Sequence, residues 1–129
     1  MSEAINRQLI TELWQRLGRF DFAGAGELLH DDYFCEWPQS KERIRGRENF
    51  VALNSYYPGR WKTEVKRVIV EGAQASSEVV LTYEDQTVIV VSFYEVRDSK
   101  IYYEVDYWPE SYAAPEWRRQ LAAQWVEPM

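Results

Sequence analysis

The chain has 129 residues, a formal net charge of −6 and a pI near 4.9. A surface this acidic repels a phosphate backbone, and its densest basic stretch, Lys41 to Arg47, is interrupted by Glu42, so nucleic acid is excluded as a partner. A 46% apolar content at this length suits one domain, residues 1–129, whose core needs no metal or disulfide staple. The single cysteine, Cys35, points to a reducing compartment and an expected cytoplasmic location. The opening "MSEAINRQLITELW" lacks the continuous apolar run of a leader, and no segment reaches the roughly 20 residues of a membrane span. Six Trp, nine Tyr and five Phe give ample material for an aromatic core, cavity or interface.

In chain order, Ile5, Leu9, Ile10, Leu13, Trp14 and Leu17 recur at helical spacing and predict a helix over 3–17, capped by Ser2. Asp21 can cap a short second helix ending near Leu29. "DDYFCEW" reads as a strand closed by Pro38, followed by a charged rim loop. Gly46 opens a third helix, with Phe50, Val51, Leu53 and Asn54 on adjacent turns, that Pro58-Gly59 ends. The second half is strand-forming. "RWKTEVKRVIVEG", "SSEVVLTYED", "QTVIVVSFYEVRD" and "SKIYYEVDYWPE" are joined by short polar turns into an antiparallel meander. Pro115 fits the first turn of a closing helix with Trp117, Leu121 and Trp125 on one face. Helices first and sheet second make an α+β fold.

Strand 87–96 is apolar on both parities, with Val88, Val90 and Tyr94 on one and Ile89, Val91 and Phe93 on the other. A sheet with one solvated face alternates more cleanly. Both faces are therefore expected to be covered, one by the helices and the other by a second subunit.

The stretches "LLHDDYFCEWPQSKERIRGRENF" and "VSFYEVRDSKIYYEVDYWPE" resemble the nuclear transport factor 2-like superfamily. It includes the SnoaL-like polyketide cyclases, ketosteroid isomerases, limonene epoxide hydrolases and scytalone dehydratases. Ser99 stands where the family's last turn usually has Gly. The resemblance implies a cone-shaped, cystatin-like fold with N-terminal helices packed on a curved antiparallel sheet that encloses a pocket. It also implies a homodimer through the outer sheet face. A fold of this kind hosts isomerases, hydrolases, dehydratases and plain binders, so it does not fix a reaction.

Asp106, in "VDYW", matches the last-strand aspartate that the epoxide hydrolases and many cyclases use. Strand parity then places Tyr102, Glu104 and Trp108 on the pocket face beside it, and Ile101, Tyr103, Val105 and Tyr107 on the dimer face. An acid among aromatic rings suits acid–base work, and the alternative is a buried Asp satisfied by a hydroxyl or amide. Glu36 and Trp37 are neighbours on a strand, so only one can face the pocket. The epoxide hydrolase likeness favours Glu36 and the ketosteroid isomerase likeness the position of Trp37. We take Glu36 as the inward residue and the partner of Asp106, against the alternative of a structural bond to Arg43 or Arg45. Trp14, Phe34, Phe50, Asn54, Val90 and Trp108 are expected to shape the cavity, and the helix from Pro115 to close its mouth.

The Arg-x-Asp pair of the epoxide hydrolases and the helix-one tyrosine of the ketosteroid isomerases are both missing. His30, beside Asp31 and Asp32, is the only histidine, so no metal site is expected. No cofactor is expected either. The anticipated function is binding of a small hydrophobic or amphipathic molecule, with cofactor-free isomerisation, cyclisation or dehydration through Asp106. The alternative is a non-catalytic binding or dimeric interaction module.

Overall fold

The computed structural model describes residues 2–121 and 124–129. Helix α1 (Glu3–Gly18) begins at Ser2, whose Oγ accepts from the Ile5 amide at 3.2 Å, and buries Ile10, Leu13, Trp14 and Leu17. Asp21 caps α2 (Phe22–Gly26) by accepting from the Gly24 amide at 3.0 Å. Strand β1 (Leu29–Trp37) starts earlier than the sequence pattern implied. The run from Pro38 is not a loop to the next helix: it turns at Lys41, which has a left-handed φ of 61°, and returns as β2 (Glu42–Arg45). Helix α3 (Arg47–Tyr56) follows, entered through Gly46 at φ 85°, a conformation that suits a residue without Cβ.

Strands β3 (Lys62–Glu71), β4 (Gln74–Tyr83), β5 (Gln86–Arg97) and β6 (Lys100–Tyr107) form the expected antiparallel meander. The β5–β6 turn places Asp98 and Ser99 both at positive φ, the geometry that lets a two-residue hairpin follow the strand twist. The six-stranded sheet runs β2-β1-β6-β5-β4-β3, and β1 pairs with β6 in parallel, so the sheet is mixed rather than wholly antiparallel. This parallel pair puts the end of β1 beside the end of β6 and so brings Cys35 and Glu36 level with Glu104 and Val105. The sequence could not show it, because parallel pairing has no turn to mark it.

The core lies between the helices and the inner sheet face and includes Ile10, Leu13, Leu29, Tyr33, Val79, Val90 and Ile101, each at most 1% exposed. On β5, Val90, Ser92, Tyr94 and Val96 point inward, whereas Ile89 and Phe93 stand 38% and 50% exposed on the other side. Helix α4 is only Glu116–Arg119. Trp117 and Trp125 are 64% and 78% exposed, so the shared apolar face expected of a closing helix is not packed over the pocket. Ala122 and Ala123, within that expected helix, lie outside the described residues. Among the described residues no helix is long and apolar enough to cross a membrane.

Candidate functional site

The antiparallel register of β5 and β6 sets the floor of the site. Ser92 pairs with Asp106 and Tyr94 with Glu104, so these four side chains share the inner face. Both acids are buried, Glu104 at 1% and Asp106 at 5% exposure. Three donors converge on Asp106: Ser92 Oγ on Oδ1 at 2.6 Å, and Trp37 Nε1 at 2.9 Å and Cys35 Sγ at 3.4 Å on Oδ2. Glu104 accepts from the Tyr33 hydroxyl at 2.8 Å. Burial holds the Glu104 carboxyl well above the usual carboxylate range, reinforced by the charge of Asp106 and a hydrogen bond between the two carboxyl groups; the Tyr33 bond acts in the opposite sense. Burial, then the nearby acids, raises the thiol of Cys35 and the phenol of Tyr33 as well.

Above this floor lies a cavity of about 140 Å³. Trp14 and Leu17 of α1, Phe50, Leu53 and Asn54 of α3, and Cys35 and Trp37 of β1 form its sides. Thr63, Leu81 and Val88 continue the lining on β3 to β5. Thr63 also ties α1 to the sheet, its hydroxyl donating to the Trp14 carbonyl at 2.6 Å. Phe20, Phe22, Tyr57, Trp61 and Trp108 add aromatic rings to the lining, which Ile44 and Gly59 complete, with Tyr57 half exposed. Trp37 and Trp108 meet edge to face with centroids 6.1 Å apart. Behind the wall, Trp14 Nε1 donates to the Tyr94 hydroxyl at 2.7 Å, which also bonds Ser77 Oγ at 2.6 Å.

The expected site is thus brought together in part. Asp106, Glu104, Trp37, Trp14, Phe50, Asn54 and Trp108 all reach the cavity. Val90 is core, fully buried but not part of the lining.

Glu36, Phe34 and Tyr102 are placed on the opposite face, which corrects the sequence reading. Glu36 accepts from Tyr103 at 2.9 Å and from Arg43 Nε at 2.9 Å. Those bonds, Arg43 first, hold its carboxyl below the usual range, and burial with the Glu36 bond pushes the Tyr103 phenol up to about 12. The physical reason is strand alternation: Cys35 and Trp37 take the inner parity, which sends Phe34 and Glu36 out. Tyr102 is displaced by a bulge. Tyr103 faces Glu95 and Ile101 faces the very next residue, Val96, so Tyr102 is the extra residue on β6. The insertion turns Ile101 into the core, away from the dimer face assigned to it, and leaves Tyr102 packed outside against Phe34 at 5.8 Å.

Sequence reasoning missed Ser92, Tyr33 and Cys35 as partners of the two acids. Ser92 carried a signal, a lone hydroxyl in an otherwise apolar stretch of strand. Cys35 and Tyr33 carried only their shared parity with Trp37. A donor oxygen from each acid and the Cys35 sulfur lie within 4.8 Å of one another. With the thiol and Glu104 both held toward their protonated forms and no histidine in the set, this trio is poorly suited to a divalent ion.

The profile of the SnoaL-like domain matches residues 10–104. No curated protein matches the chain. Among solved structures, a Kribbella flavida DSM 17836 protein provisionally designated a ketosteroid isomerase is 34% identical with a TM-score of 0.87, over 92% of this chain and 88% of its own. A nuclear transport factor 2-like protein of unknown function from Burkholderia xenovorans LB400 is 34% identical with a TM-score of 0.83, over 98% and 97% of the two chains. A limonene epoxide hydrolase-like epoxide hydrolase of Mycobacterium tuberculosis is 25% identical with a TM-score of 0.69, over 83% and 84%. The fold, the register of the last two strands and this match over most of the chain lead to one conclusion: the chain belongs to the SnoaL-like domain family, within the nuclear transport factor 2-like fold.

Proposed function

We propose that this chain is a cofactor-independent proton-transfer enzyme, an isomerase, cyclase or dehydratase acting on a small hydrophobic or amphipathic molecule. The observation that carries this reading is the pair of buried carboxyl groups, Glu104 and Asp106, at the floor of an aromatic cavity. Asp106 is the acid–base group, and its partner is Glu104 rather than Glu36. Ser92, Trp37 and Cys35 fix its orientation, so a substrate proton meets a carboxyl oxygen of defined direction. Glu104 holds a proton beside it, which supports one acid and one base in the same site. The aromatic walls exclude water and supply binding area.

The test is solvent deuterium exchange. Cyclic ketones, terpenoids and aromatic polyketide fragments that raise the melting temperature are incubated with the protein in D2O and followed by proton NMR. Deuterium uptake at a carbon next to a carbonyl, lost in Asp106→Asn, is the expected result. Binding without uptake in any such compound would make the protein a binder instead of an enzyme.

The outer sheet face supports a homodimer. Ile89, Phe93 and Tyr107 are 38%, 50% and 41% exposed there, and Phe93 meets Tyr107 edge to face at 6.3 Å. Phe93→Glu is expected to halve the mass seen by sedimentation equilibrium; a monomeric native chain would overturn the assignment. A reducing cytoplasm is the compartment that the free, buried Cys35 supports.

A further inference from the structure

The cavity has a charge imbalance that its shape does not explain. Two carboxyl groups close its floor, yet among the described residues no Lys, Arg or His lines it. Among the described residues Asp106 accepts from the neutral donors Ser92, Trp37 and Cys35 and pairs with the protonated Glu104, which itself accepts from the neutral Tyr33. Elsewhere the chain meets its acids with guanidinium groups: Glu36 with Arg43, Glu12 with Arg16, Glu95 with Arg97. A buried acid pair without a basic partner is costly unless a proton or a cation offsets its charge, and the proton on Glu104 offsets only part of it.

The walls are suited to supply the rest of a cation site. Trp14, Trp37, Trp61 and Trp108 all line the cavity, four of the six tryptophans in the chain. Indole presents the most negative face of the aromatic side chains to a positive group. Trp37 and Trp108 stand at 86° to one another, two sides of an aromatic corner in the cavity wall, and Trp37 is bonded to Asp106. At the rim, Phe20 already holds the Arg60 guanidinium 4.5 Å from its ring centroid, although Arg60 itself does not line the cavity.

We propose that the ligand is an organic cation, a compact hydrophobic amine or quaternary ammonium, whose positive centre is held between the Glu104–Asp106 floor and the Trp37–Trp108 corner. The proposal rests on the reading of this cavity as the ligand site and narrows the ligand class. A neutral ligand would gain only the area of the rings. A cation gains that area, the ring quadrupoles and the two carboxyl groups together. The cavity of about 140 Å³ limits the charged end to a small group.

Binding also moves a proton. The groups that face Glu104 are Tyr33 and Cys35 from β1, Tyr94 from β5 and Asp106 on its own strand, none of them basic. Burial and the Asp106 charge keep Glu104 protonated, and a ligand cation opposes both. A permanent cation therefore draws the Glu104 carboxyl back toward its ordinary range, favours release of its proton and binds more tightly as pH rises.

The test compares benzyltrimethylammonium with its neutral isostere neopentylbenzene by calorimetry at pH 6, 7 and 8. The cation is expected to bind about tenfold more tightly at pH 7 and to tighten toward pH 8 with release of a proton. Glu104→Gln narrows the gap between the two ligands and removes the pH slope. Trp108→Leu, on the half-buried rim, narrows the gap with the slope retained, which keeps the test valid if the Glu104 variant folds poorly. Equal or tighter binding of neopentylbenzene overturns the cation class and leaves the proton-transfer reading standing. Binding of neither compound, together with no hit in the ketone and terpenoid screen, overturns the cavity as the ligand site and both readings with it.

Discussion

Replacing Glu104 with Gln should make the protein more stable, and increasingly so as pH rises. A protonated Glu104 accepts from Tyr33 with one oxygen and donates toward Asp106 with the other. A Gln amide reproduces that pattern without a proton to lose: its oxygen accepts from Tyr33 and its NH2 points toward Asp106. The difference between the two proteins therefore isolates the titration. The folded carboxyl lies well above its ordinary value of 4.5, so below that pH both folded and unfolded states hold the proton and the stabilising contribution is fully present. As pH rises the unfolded chain releases its proton while the native chain keeps it, and the contribution is lost until the folded pKa is passed. Within that window each pH unit costs wild type about 1.4 kcal/mol relative to Glu104→Gln. Small domains have only about 5–15 kcal/mol in total, so two units of pH are readily measured. The assay is urea unfolding of both proteins from pH 5 to pH 8 at one fixed protein concentration, because the midpoint of the proposed homodimer would depend on concentration. The expected result is a gap that widens with pH. Parallel curves would mean that Glu104 is ionised in the native state, and would remove the acid from the proposed acid–base pair.

Three other perturbations have definite outcomes. Ser92→Ala deletes a buried 2.6 Å donor to Asp106 and should cost about 1–3 kcal/mol in urea unfolding, with loss of the Asp106-dependent deuterium exchange; wild-type stability would show that the bond contributes nothing net. Carboxyl-carbon NMR should find Glu36 titrating below the ordinary glutamate range and rising in Arg43→Ala, with ligand binding retained; its stabilising contribution is present above the ordinary range and disappears as pH falls through the lowered pKa, so an ordinary titration curve would refute the pairing. Gly18→Ala places a Cβ 2.2 Å from Thr63 Oγ1 and 3.1 Å from its backbone nitrogen, and because that hydroxyl holds the Trp14 carbonyl the helix must move, at about 1–3 kcal/mol by thermal unfolding.

The elements that carried local signals were legible. Ser2 and Asp21 cap their helices as their residue types and positions imply, and the four-strand meander follows from short polar turns between β-branched runs. What could not be read were features set by contacts between distant segments. The parallel seat of β1 beside β6 has no local marker, and it is this seat that brings Cys35 and Trp37 to Asp106. The bulge at Tyr102 is one extra residue in an otherwise regular strand, and it reverses the facing of everything before it. Counting parity back from Asp106 therefore succeeds at Glu104 and fails at Tyr102.

The choice between Glu36 and Trp37 has an energetic answer, and part of it was in the sequence. An inward Glu36 would have placed a third carboxyl beside Glu104 and Asp106 in a cavity that has no basic lining residue among the described residues. Each added buried acid loses solvation and repels the others, so the cost rises steeply with the third. An inward Trp37 instead buries a large apolar ring and gives Asp106 a donor at 2.9 Å. On the other face Glu36 recovers a cation, because the turn after Pro38 makes a hairpin in which Glu36 and Arg43 are register partners. Read as a rim loop, Pro38 to Arg45 leaves Arg43 anywhere. Read as a hairpin, it fixes Arg43 opposite Glu36 and so fixes Trp37 toward the cavity. The facing of one tryptophan in the candidate site was decided by the partner of the acid next to it.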